Sequence, residues 1–123
     1  MDSLESPTGV VLPIPADGVL AVGATYLSPP MFIPSYAIRV SLEVRAARVT
    51  NVAPTLTVKL RQGNTPAATL VDRVVTSPAG LAAIGVAGAA ELMTDDVVAS
   101  YYQVEIACTV APCKVTSAVA GAR

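Results

Sequence analysis

Over residues 38–46 the chain alternates without a break. Ile38, Val40, Leu42, Val44 and Ala46 are apolar, and Arg39, Ser41, Glu43 and Arg45 between them are polar. Successive side chains of a strand point to opposite faces, so this period of two puts five apolar groups on one side and the charges on the other. After a break at Asn51-Val52-Ala53-Pro54, Leu56, Val58 and Leu60 alternate with Thr57, Lys59 and Arg61. Two such runs around a short Asn/Pro turn predict a β-hairpin over residues 36–62 with one wet face.

The second half repeats the design. Tyr102, Val104, Ile106 and Cys108 share one face of a strand predicted over 97–109, with Gln103, Glu105 and Ala107 opposite. Val110-Ala111-Pro112 makes the turn, and residues 113–119 form a last strand. Aligning this turn with Val52-Ala53-Pro54 leaves the outgoing apolar positions one residue out of phase. Between the two hairpins, 69–75 reads as a short strand and 81–90 as a loose strand or loop of small residues. Residues 91–96 read as a polar loop with weak helical potential. Two hairpins of one design predict an all-β chain, a single antiparallel β-sandwich of jelly-roll-like character spanning 35–123.

Residues 1–34 precede it as an extended Pro-rich arm or set of edge strands. Val10-Val11-Leu12-Pro13-Ile14-Pro15 and Pro29-Pro30-Met31-Phe32-Ile33-Pro34 are apolar but punctuated by proline, which removes backbone donors and suits edges. Residues 19–27 read as a strand weakened by Gly23. Val11, Leu12, Ile14, Met31, Phe32 and Ile33 are the candidate contacts with a neighbouring surface, since a Pro-stiffened segment loses little entropy on docking. The alternative for Met31, Phe32 and Ile33 is that they cap the domain's own core.

Composition sharpens the interaction reading. Of 123 residues 53% are hydrophobic and only 14% charged, against about 25% charged in ordinary soluble domains. A small domain has a limited interior, so apolar surface is left to meet another chain. Net charge is −1 and the pI near 5.2, with no basic patch to neutralise phosphates, so nucleic acid is not an expected partner. No apolar run is long enough to span a bilayer, and the acidic start lacks the basic region of a secretory signal, so synthesis in the cytoplasm is expected.

Catalytic chemistry finds few residues to work with. The chain has no histidine, which removes the commonest general base and metal ligand together. Asp95-Asp96 is the only adjacent acid pair, far short of the six to eight oxygens a calcium ion takes, and reads as a solvated loop. Neither an enzymatic role nor a cofactor is expected. Cys108 and Cys113 flank a four-residue turn, where opposed strand positions suit a disulfide, although two buried thiols fit the same pattern.

The order of these elements resembles the small β-sandwich virion proteins of tailed bacteriophages. The likeness lies in residues 49–62, an alternating strand after an Ala-Pro turn, in the Tyr101-Tyr102-x-Val104-x-Ile106 strand with its turn and final strand to 119, and in the connecting 67–75. It does not reach the Pro-rich N-terminal third, and the aromatic and densely polar residues such proteins carry between the hairpins are missing. The resemblance implies no catalytic residues. It implies a virion location, with the major capsid protein and neighbouring copies as partners in a homo-oligomer. The expected role is a capsid decoration (cement) protein on the head surface. The alternatives are a head–tail connector or tail protein, and a carbohydrate- or host-surface-binding module, which the lack of Trp disfavours.

Overall fold

The alternating runs do become the centre of the molecule, but they do not fold back as hairpins. The computed structural model describes residues 18–76 and 84–123, and the backbone of 10–11. The strands are β1 (Val10–Val11), β2 (Val19–Leu20), β3 (Thr25–Leu27), β4 (Met31–Phe32), β5 (Arg39–Arg48), β6 (Thr55–Gly63), β7 (Arg73–Thr76), β8 (Ala89–Asp96), β9 (Tyr101–Thr109) and β10 (Cys113–Ala122). One sheet runs β1-β10-β5-β8, with β2 also on β10. The other runs β3-β9-β6-β7, with β4 also on β9. All pairings are antiparallel, and the two sheets enclose one apolar core. The chain is a β-sandwich.

The predicted hairpin 36–62 is therefore an arch, with β5 in one sheet and β6 in the other. The same holds for β9 and β10. The two arches stack on each other: β5 pairs β10 from Arg48↔Cys113 to Val40↔Ala122, and β6 pairs β9 from Thr55↔Thr109 to Gly63↔Tyr101. The physical reason lies in the turns. Tight hairpins use two-residue loops rich in Gly and Asn, whereas residues 49–54 are long enough to cross the roughly 10 Å between packed sheets. The two turns, each ending in Ala-Pro, end up side by side.

Register explains the phase shift between the repeats. Cys113 and Val115 point inward from β10, a β-bulge follows between Val115 and Ser117, and Ala118, Ala120 and Ala122 then point inward. One extra residue flips the later side chains to the other face. Beyond the bulge β10 is back in step with β6. Its small inward alanines lie beside Val40, Leu42 and Val44 of β5.

Three sequence expectations are corrected in the strands around this centre. Residues 91–96, expected as a polar loop, belong to the eight-residue strand β8 along β5. The stretch 19–27 is not one strand: β2 lies on one sheet and β3 on the other, with the crossing at Gly23, whose φ of 85° suits a residue without a Cβ. The strand expected over 69–75 is confined to Arg73–Thr76. Residues 18–34 thus lie along both sheets and contribute Leu20 and Ile33 to the core. Gly18 is held against β10, where its carbonyl accepts the Val115 N–H at 2.8 Å; a Cβ there would come within 2.5 Å of the Val115 oxygen.

Candidate functional site

At the end of the sandwich away from the paired turns, alternation separates the adjacent acids. Asp95 points inward and is 7% exposed, while Asp96 points outward to Arg39 at 3.1 Å. Arg73 grips Asp95 with both ends of its guanidinium, Nε to Oδ2 at 2.7 Å and Nη2 to Oδ1 at 2.8 Å. The Asp96 N–H also donates to Asp95 Oδ1, and Gln62 Nε2 to its Oδ2. The Arg73 hydrogen bond is the main reason that Asp95 is held below the usual carboxylate range, burial acting against it. The solvated-loop expectation fails for Asp95, whose oxygens are already occupied by the protein's own donors. Among the described residues no cluster of acids and thiols is placed to hold a metal ion.

This bond makes stability depend on acid. A carboxylate whose folded pKa is depressed adds stability that is full above its unfolded pKa, about 3.9, and is lost as pH falls through the folded value. The native protein is expected to weaken as pH drops below about 4, by urea unfolding, and Asp95→Asn to be weaker at pH 7 but flatter across that acid window. An acid limb as steep in the variant as in the native chain would refute the assignment.

Two buried glutamines join the same end, and neither stands out from the alternation of its own strand. Gln62 takes the inward position after Leu56, Val58 and Leu60, donates to the Asp96 carbonyl at 2.7 Å and accepts the Val98 N–H at 2.9 Å. Gln103 faces the other way, yet is fully buried because residues 64–72 fold over that side. Its oxygen accepts the Leu70 N–H, and its amide donates to the carbonyls of Ser28 and Ala68. Arg61, ion-paired with Glu105 at 2.9 Å, donates to the Leu70 carbonyl. Where Pro29 and Pro30 interrupt pairing along β9, the Ser28 hydroxyl accepts the Val104 N–H at 3.0 Å. These groups hold the fold together.

The candidate contacts divide. Leu12 and Ile14 lie outside the described residues, and Val11 is described only by its backbone pairing with Val119. Met31 is half-buried, Phe32 is 65% exposed, and Ile33, 4% exposed, sits in the core. Strand alternation explains the split, and it removes Ile33 from any outer surface. Phe32 lies against Tyr101 edge-to-face, ring centroids 5.8 Å apart. Beside them a cleft of about 240 Å³ is lined by Phe32, Ile33, Pro34, Ala37, Val97 and Ala99. Tyr36, Ile38 and Val98 are exposed around it, Ile38 accepting the Val97 N–H at 3.0 Å. The exposed Arg39–Asp96 pair stands on the adjoining strand ends. An apolar, aromatic centre with a polar margin is the composition of a protein-binding patch.

Cys108 and Cys113 are free thiols, both fully buried. Because they belong to strands of different sheets, they do not face each other across a hairpin. The Cys108 thiol donates to the Ala111 carbonyl at 3.0 Å. Burial, and then the neighbouring Cys108, push the Cys113 thiol up to about 12. A thiol reagent at pH 8 is expected to label neither cysteine in the folded protein and both after unfolding. Rapid labelling of the folded chain would contradict this arrangement.

No family model matches the chain, and no curated protein does. Among solved structures, a chain from the structure of infectious bursal disease virus, Gx strain, is similar with a TM-score of 0.53 at 14% identity, covering 93% of this chain and 32% of that one. This chain therefore spans about a third of that protein's length, and the likeness is one of fold.

Proposed function

We propose that this chain is a structural protein of a virion, acting through surface docking and not through catalysis. The observation that carries the reading is the outward patch of Phe32, Tyr101, Tyr36 and Ile38 on a sandwich whose buried Asp95, Gln62 and Gln103 are engaged by the protein's own groups. The fold likeness to a chain of a virus supports it. A more specific role, drawn from the strand-and-turn order of residues 49–62 and 101–119, is a decoration (cement) protein. It would bridge neighbouring capsomers on the head of a tailed bacteriophage, with the major capsid protein as partner.

The test is co-sedimentation of the purified chain with particles lacking it. Saturation in proportion to the capsomers is expected, and Phe32→Glu should weaken binding by about 30-fold or more, as an aromatic anchor does, with the melting temperature nearly unchanged because Phe32 is exposed. Binding by the variant equal to that of the native chain would sink the role of this patch. Saturation at a single ring's worth of copies would move the protein to the head–tail junction or tail.

A further inference from the structure

The opposite end of the sandwich carries a second apolar surface of different make. Four loops meet there: 21–24, 49–54, 84–88 and 110–112. Their proximity is fixed by hydrogen bonds: the Gly23 N–H to the Cys108 carbonyl, the Ile84 N–H to the Pro54 carbonyl, and the Arg48 guanidinium to the carbonyls of Ile84 and Asn51. Val22, Val49, Val52, Val86 and Val110 all stand exposed on these loops, Val86 to 86% and Val110 to 67%. No residue of the four loops is charged; of the two nearby arginines, Arg48 is turned onto loop carbonyls and Arg45 is paired with Glu43 at 3.1 Å.

Val110 shows that this is not incidental surface. Its φ is 73° and the Ala111 N–H donates to the Thr109 carbonyl at 2.8 Å, a positive-φ γ-turn that is rare and strained. It is the only non-glycine residue at positive φ among the described residues, and a β-branched side chain fits that region worst of all. Glycine is what the backbone there would favour. The strain is thus held at a side chain that stands exposed, the kind of outlier that clusters at functional surfaces.

We infer that this valine tip is a self-association surface whose occupant is the same tip of a second copy. A contact about a two-fold axis sets a patch against itself, so a patch with charges of one sign would repel its copy. The loops bear none, Arg45 beside them is balanced by Glu43, and the chain's net charge is only −1. A lipid surface is the poorer partner, because the loops offer neither the basic residues nor the Trp or Tyr that interfacial binding uses. Shape agrees. A groove of about 430 Å³ lined by Ala46, Ala47, Ala87 and Gly88, with Arg45 and Thr116 among its walls, adjoins the protruding Val86 loop, so protrusion and hollow occupy one patch. The contact is small and correspondingly weak, a size that suits copies already held at high local concentration.

Sedimentation equilibrium of the free protein over a wide concentration range tests this without any particle, so failure of capsid binding and failure of self-association remain distinguishable. The native chain is expected to associate reversibly. Val110→Gly and Val86→Asp are both expected to stay monomeric, and Val110→Gly should at the same time raise the melting temperature by about 3–6 °C as the backbone strain is released. A native chain that is monomeric throughout would overturn the inference. So would association that either variant leaves unchanged, since the contact would then lie elsewhere.

Discussion

Gln103→Leu is expected to lower the stability of this protein by about 2–5 kcal/mol, more than a surface-facing strand position would ordinarily allow. Leucine fills nearly the same volume but can neither accept nor donate. The Leu70 N–H and the carbonyls of Ser28 and Ala68 would lose the partner that Gln103 now supplies, and a buried group left unpaired costs about 1–3 kcal/mol. The loss should be read from urea unfolding, where the midpoint falls and the slope holds. Hydrogen exchange localises it: the Leu70 amide should open well before those of β6 and β9. Gln103→Glu separates hydrogen bonding from packing, because it restores an acceptor for Leu70 but no donor for the two carbonyls. It should be as damaging as leucine at pH 7 and less so once its carboxyl is protonated. A Gln103→Leu protein within 1 kcal/mol of the native chain would mean that the cover formed by residues 64–72 is held by Leu70 packing alone.

The sequence made the faces of this protein legible and left their partners hidden. Alternation at Val40, Leu42, Val44 and at Leu56, Val58, Leu60 names the buried side chains correctly, because period two depends only on local backbone geometry. A hairpin and an arch bury the same residues. In a hairpin the two apolar faces lie side by side in one sheet, and in an arch they face each other across the core, so the pattern does not separate them. Strand β8 was hidden for another reason. Its inward positions include Glu91 and Asp95 and its outward ones Leu92, a reversal of the usual rule; Asp95 is tolerated there because Arg73, Gln62 and the Asp96 N–H all donate to it. Gln103 was unreadable because its burial comes from residues 64–72, not from its own strand. Of the candidate contacts, Phe32 and Ile33 could be told apart only once Met31–Phe32 was paired to Tyr101 and Tyr102, which fixes the side each one faces.

That pairing also determines what removal of the N-terminal third does. From sequence, residues 1–34 read as an arm whose deletion leaves a folded domain that no longer docks. The structure makes the opposite result the expectation: a chain beginning at residue 35 should fail to fold cooperatively. It loses β2 from the edge of one sheet and β3 and β4 from the edge of the other. Leu20 and Ile33 leave the core, at about 1.5–3 kcal/mol each, and the Ser28 hydroxyl no longer serves Val104. Against a usual total of 5–15 kcal/mol for a domain, the summed loss takes most of the margin. Stripping also bares the edges of β9 and β10, the kind of unpaired strand that invites aggregation. The expected observation is an insoluble chain, or one lacking a sharp thermal transition by circular dichroism. A soluble, cooperatively melting 35–123 would show that the two arches suffice for the fold and that residues 18–34 only decorate it. Loss of docking by such a truncation therefore carries no information about contacts, whereas Phe32→Glu, which alters an exposed ring and spares Leu20, Ser28 and Ile33, isolates the surface from the scaffold.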